Sequence, residues 1–172
     1  SCSKHSTSNF LNRVSAWQDA CAEALLSNNT AVLLNSHTKP MPKRKHVFSG
    51  SIYEDLAGYA RAVIVGEVVY VSGTVGVDFS TGVMAEGPEA QTSTALDTIE
   101  KALAEADCKL ADIVRTRVYV PDSEHVMAVS GILKSCIGFT YPANTTICSP
   151  LAVPSAHVEI EVEAVRGSGL DA

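Results

Sequence analysis

No apolar run in this sequence approaches the ~18 residues needed to cross a bilayer, and no secretory apolar core stands near its beginning. A membrane span is therefore not expected. The chain also has no CxxC pair: Cys2, Cys21, Cys108, Cys136 and Cys148 are odd in number and widely spaced. That pattern argues against a disulfide framework or a zinc site and for a reducing compartment, the cytoplasm. Gly73 and Gly76 open no helix, so there is no phosphate-cradling G-x-G-x-x-G, and no Ser-His-Asp order or metal-ligand spacing is present. Neither a zinc site nor a nucleotide-binding glycine loop is thus expected. Positive charge is short as well: 13 Lys and Arg stand against 19 Asp and Glu, a formal charge of −6. Such a chain gains no general electrostatic help in binding nucleic acid.

What is present is a soluble, globular composition, 46% hydrophobic over 172 residues. That length suits one domain, able to bury roughly 70% of the unfolded chain's surface. Two parts separate near residue 50. In the first, Leu11, Val14, Trp17, Cys21, Ala24 and Leu25 recur at spacings of three and four, an amphipathic helix. The following "HTKPMPKRKH" has Pro40 and Pro42 and reads as a linker, its Lys43 to His46 a solvated segment or an RNA-contacting or targeting one. The expected division is a helical extension and linker over 1–47 and a folded domain over 48–172. The Ser-rich "SCSKHSTSNFLNRV" admits organellar targeting, against which Asp19 and Glu23 count.

From Tyr59 onward the signals are denser. "YARAVIV" and "VVYVSGTVGVD" flank Gly66-Glu67, and glycine at the first turn position predicts a two-residue type II′ hairpin. Pro88 can open a helix, which Leu96, Ile99, Leu103 and Ala106 extend to about Asp107. "DIVRTRVYV" is a strand that Pro121 stops. Asp122 or Ser123 can cap a second helix carrying Val126, Val129, Leu133 and Cys136 or Ile137. "AHVEIEVEAV" alternates, with Val158, Ile160, Val162 and Ala164 opposite His157, Glu159, Glu161 and Glu163. The order β-β-α-β-α-β predicts an α+β fold: a mixed sheet, both helices on one face, and an open face that meets a partner subunit or ligand.

Pro142 stiffens "YPANTTICSP", where an extended chain puts Asn144, Thr146 and Cys148 on one face. "GYARAVIVGEVVYVSGTVGVD", "AQTSTALDTIEKALAEADCKLADIVRTRVYV", "YPANTT" and "HVEIEVEAV", in this order over about residues 48–167, resemble the RidA family, also called YjgF/YER057c/UK114. The resemblance implies a chorismate-mutase-like fold assembled as a homotrimer, with small-molecule pockets between subunits. It also implies cofactor-free hydrolysis of 2-imino or 2-enamino acids to 2-oxo acids and ammonium.

Carried onto this sequence, the resemblance makes Tyr59 the residue that closes over the ligand and Glu159 the one that positions the attacking water. The carboxylate-gripping Arg of the family falls at Asn144, and its frequent Cys two residues on is Thr146. A guanidinium's charge-assisted bonds contribute about 1.5–3 kcal/mol each, and a neutral amide's about half that. Either another cation substitutes, Arg61 being preferred over Arg115 and Arg117, whose simpler reading is a sheet-face ion pair. Or Asn144, Thr146 and Thr74 receive a carbonyl, amide, hydroxyl or ring nitrogen. Or the pocket binds without turnover, as a regulatory protein would.

Cys148 is a conceivable nucleophile or ligand contact, although Pro150 and apolar neighbours favour a buried inert thiol. His157 can pair with Glu159 or be merely structural. The expected activity is hydrolysis or isomerisation of an imine, enamine or related polarised C=N or C=C compound, in metabolite repair or in tailoring a secondary metabolite. The ribonuclease role sometimes assigned to relatives has only "KRKH" in its favour.

Overall fold

The computed structural model describes residues 42–169. The helix expected over Leu11 to Leu25 and the leader-like start lie outside the described residues. The hairpin forms as expected: β2 (Ala62–Val65) and β3 (Val68–Val75) pair antiparallel with Val65 opposite Val68. Gly66 takes φ 62 and Glu67 stays out of the left-handed region, as a II′ turn requires.

Helix α1 (Ile52–Ala57) precedes the hairpin, and β4 (Val77–Asp78) with β5 (Val83–Met84) forms a separate ribbon after it. Helix α2 (Gly87–Glu105) starts with proline in its first turn and buries Leu96, Ile99 and Leu103, the expected stripe. β6 (Ile113–Val120) follows. The Asp122 carboxylate accepts from the Glu124 N–H at 2.9 Å and caps a short 3-10 turn leading into α3 (Val126–Ile137).

The last strands are β7 (Ala143–Cys148) and β8 (Glu159–Val165). The short strand β5 was not foreseen, and neither was Lys45–Val47, inside the stretch read as a linker, which forms β1 and pairs with β2. Three residues are too few for alternation to show, and backbone hydrogen bonding to the free edge of β2 decides the matter.

The sheet runs β1-β2-β3-β8-β6-β7. β6 and β7 are parallel and the other neighbours antiparallel, giving the expected mixed α+β sheet. Val69, Val118, Ile160 and Val162 on one face pack with Leu96, Ile99, Leu103, Val129 and Ile137 of α2 and α3 in a single core. Truncating a fully buried residue such as Ile99 or Ile160 to Ala costs about 2–5 kcal/mol. The opposite face carries Tyr70, Arg115, Arg117, Tyr119, Glu159, Glu161 and Glu163, all exposed or half-buried. Arg117 there bonds Glu161 at 3.2 Å and Glu163 at 3.0 Å, the sheet-face ion pair its simpler reading expected.

Candidate functional site

The stretch from Ser49 to Arg61 folds back on itself. Ser51 caps α1, accepting from the Tyr53 N–H at 3.4 Å. Glu54, in that helix's first turn, reaches with its carboxylate the chain just before the helix: the Ser49 N–H donates to it at 3.0 Å, the Ser49 hydroxyl at 2.6 Å and the Gly50 N–H at 3.2 Å. Gly58 then takes the left-handed conformation at φ 69 and ends the helix. The reversal brings Arg61 to Glu54, with Nε 3.4 Å from Oε1 and both side chains almost wholly buried.

Arg61 is the largest fully buried side chain among the described residues. Its Nη1 donates to the Gly73 carbonyl at 3.0 Å and to Thr74 Oγ1 at 3.0 Å, and its Nη2 reaches the Tyr59 hydroxyl at 3.5 Å. The guanidinium carbon lies 5.7 Å from the Tyr59 ring centre and 5.2 Å from that of Phe79, within cation–π range of both. Only Nε lacks an aligned acceptor, and the Glu54 carboxylate stands beside it. Thr74 is fully buried, its hydroxyl donating to the Ser72 carbonyl at 2.8 Å. Both residues therefore face inward, with their hydrogen-bonding capacity largely committed within the chain.

Glu159 opens β8 and stands opposite Val75 on one side and Tyr119 on the other. Its carboxylate lies so close over Gly73 that a Cβ there would overlap it. Burial raises its pKa above the ordinary carboxylate value, the neighbouring Glu161 carboxylate raises it further, and the Arg61 charge opposes both. Tyr119 donates to Glu161 at 3.4 Å, and burial followed by that carboxylate pushes the phenol's pKa up.

The chain entering β8 is held by Gln91 of α2, which is buried. Its Nε2 donates to the carbonyls of Ala85 at 3.1 Å and Ser155 at 3.0 Å, and its Oε1 accepts from the His157 N–H at 2.6 Å. The His157 ring meets His125 edge to face at 4.7 Å.

Tyr59, Arg61, Thr74 and Glu159 thus gather around Gly73. Asn144, Thr146 and Cys148 do not join them. They do share one side of β7, as the alternation predicts, but register sets that side with Thr116, Val118 and Val120, the helix-covered face. The Asn144 amide donates to the Thr116 hydroxyl at 2.8 Å and its carbonyl accepts from Thr146 Oγ1 at 3.1 Å. Glu159 points from the other face, and β6 lies between its strand and β7, two strand spacings or roughly 10 Å.

Cys148 is exposed, correcting the expectation of a buried thiol: the strand carrying it is the sheet's edge, and all six of its residues are exposed. Glu54, Gly73 and Gln91 were not singled out from the sequence. A Glu in the first turn after Ser-Gly-Ser, seven residues before an Arg, was the available signal for Glu54.

Among the described residues, no group of three or more His, Cys, Asp or Glu is placed to hold a metal ion. No described helix is long and apolar enough to cross a membrane.

The family model described as Endoribonuclease L-PSP matches residues 51–166. A RutC family protein UK114 of Drosophila melanogaster is 30% identical over 126 residues, 73% of this chain and 91% of that one. The human 2-iminobutanoate/2-iminopropanoate deaminase is 29% identical over 110 residues, 63% of this chain and 80% of that one. Among solved structures, Rv2704 of Mycobacterium tuberculosis, a YjgF/YER057c/UK114 protein, superposes with a TM-score of 0.66 at 38% identity. It covers 72% of this chain and 99% of that one.

Proposed function

This chain belongs to the RidA/YjgF family, and from that premise we propose that it hydrolyses an imine or enamine, or isomerises a related polarised C=N or C=C compound. The reaction takes place in a pocket completed by other copies in a homotrimer of the chorismate-mutase-like type. The observation that carries the reading is Glu159, a half-buried carboxylate of raised pKa resting on Gly73 beside the Arg61–Tyr59 assembly. In its ionised form Glu159 takes a proton from water as the oxygen attacks the C=N carbon. Glu159 passes that proton on to the nitrogen as the double bond opens, and the hydroxyl proton of the adduct follows it to the nitrogen on collapse. Collapse of the tetrahedral adduct breaks the C–N bond, leaving a carbonyl compound and ammonia, and Tyr59 closes over the ligand.

Asn144 retains one amide hydrogen and one carbonyl lone pair beyond its bonds to Thr116 and Thr146. These suit a carbonyl, amide, hydroxyl or ring nitrogen better than a carboxylate, and Thr146 and Cys148 flank them. Because Asn144 and Glu159 are apart within one chain, a shared ligand requires them from different copies, which supports the trimer. Arg61 and Thr74 serve this site from beneath, as structural supports. The Glu54 carboxylate, not a ligand's, is the partner of Arg61.

The test is clearance of 2-iminopropanoate and of a neutral imine, each generated in situ, by wild type, Glu159→Gln and Asn144→Arg. Wild type is expected to prefer the neutral imine, Glu159→Gln to lose about 10²-fold or more, and Asn144→Arg to gain on the carboxylate substrate. A binding-only protein is the second reading, favoured by the internal pairing of Arg61. It predicts stoichiometric binding of a ligand whose mass does not change on long incubation.

A further inference from the structure

Arg61 links Gly73, Thr74, Tyr59 and Phe79 from within the chain. It bonds the backbone of Gly73, on whose open side the Glu159 carboxylate lies, and it holds the Thr74 hydroxyl. One of its terminal nitrogens faces the Tyr59 phenol, and its plane lies within reach of the Tyr59 and Phe79 rings. A guanidinium so buried needs a counter-charge, and Glu54 supplies it. Glu54 is in turn fixed by the N–H groups of Ser49 and Gly50 and the Ser49 hydroxyl, so the counter-charge cannot swing away.

We propose that the buried Glu54–Arg61 couple positions the site: Arg61 orients Tyr59 and the Gly73–Thr74 backbone, and Glu54 sets how much of the guanidinium's charge reaches Glu159. The inference rests on the reading of Glu159 as the working carboxylate. Both residues act through others, so they are positioning residues.

The groups facing Glu159 define what a test must separate. Along its own chain these are Glu161 on β8, which repels it, and His157 in the segment leading into the strand. From β6 comes the Tyr119 phenol, opposite it in register. β3 contributes only Gly73, Thr74 and Val75, none of them charged. Arg61, beyond Gly73, is the cation that opposes the effects of burial and of Glu161. Removing the positive charge and removing its counter-charge should therefore move Glu159 in opposite directions. A packing defect has no reason to produce opposite signs.

The experiment is a carboxyl-carbon NMR titration of the full chain, the Glu159 signal being assigned by its loss in Glu159→Gln. In Arg61→Gln the Glu159 midpoint is expected to move up, and in Glu54→Gln to move down. In the double variant the two shifts should largely cancel. Arg61→Lys, which keeps the charge and loses the fork, covers the case in which Arg61→Gln does not fold. Its Glu159 midpoint should stay near that of wild type, while the Tyr59 ring signals broaden. Shifts of the same sign in the two single variants, or none in either, overturn the proposal. The titration needs no turnover, so opposite shifts in a protein without hydrolase activity would uphold the couple while removing the catalytic reading of Glu159.

Discussion

At the scale of single residues, two carboxylates near one guanidinium behave differently: Glu54, paired with Arg61, and Glu159, across Gly73 from it. Glu54 accepts bonds from two backbone N–H groups and a hydroxyl and sits against Arg61. Glu159 has its burial and Glu161 raising its pKa and a shielded Arg61 lowering it. A base of raised pKa is ionised only above that value, so turnover should rise with pH through a midpoint higher than an ordinary carboxylate's. The stability effect has the opposite sense. A carboxylate whose folded pKa lies above its unfolded one favours the fold below the unfolded value, and that contribution is lost as pH rises through the folded one.

Glu159→Gln should therefore melt at a higher temperature than wild type at neutral pH, with the difference shrinking in acid. Thermal melts across pH check this. A variant melting lower than wild type at neutral pH would mean that the ionised carboxylate is held by favourable bonds. The place of Glu159 on the outward face of an alternating strand was legible in the sequence. The pairing of Arg61 was not, because its partner is brought alongside only by the reversal at Gly58. Periodicity carries no information about such a turn-made contact.

At the scale of elements, the strands and helices with sustained patterns could be read directly. The alternation of β8 placed Ile160 and Val162 inside and the glutamates outside, and the stripes of α2 and α3 placed Ile99, Leu103, Val129 and Leu133 in the core. α1 could not be read: its six residues are too few for a stripe, and Ile52, Tyr53 and Leu56 remain exposed. β1 hid in a basic, proline-flanked segment for the same reason of length.

The connection into β8 has no regular structure, yet its end is fixed, because Gln91 binds Ser155 and His157 from a helix that is itself locked in the core. Gln91→Leu keeps the volume and leaves those backbone groups unpaired, a cost of about 1–3 kcal/mol. It is expected to lower stability by that amount in denaturant titration and to reduce kcat more than it raises KM, since Glu159 lies two residues beyond the clamp. Unchanged stability would show that solvent satisfies the loop equally well.

At the scale of the whole molecule, the residues proposed for the site stand in two groups on one chain that do not meet. Asn144 and Thr146 belong to an exposed edge strand, and Glu159 belongs to the other face of the sheet, with the buried Arg61 beneath Gly73. Phe48, Ile52, Leu56 and Ile147 are exposed apolar side chains that a partner copy would cover. A homotrimer is expected in solution, with a mass three times the 18.1 kDa of the chain. Ile147→Glu in the edge strand should dissociate it and abolish activity together, as light scattering coupled to gel filtration and an assay would register. A fully active monomer would put the whole site in one chain. The formal charge of −6 works against a polyanionic partner at any of these surfaces.

The central claim is that Glu159 performs chemistry on a ligand oriented by Asn144. The most direct measurement is the initial rate at which the purified protein clears a neutral imine generated in situ, wild type beside Glu159→Gln. The account predicts clearance well above the spontaneous rate by wild type and its loss in Glu159→Gln at unchanged oligomeric state. Equal clearance by the two proteins would contradict it.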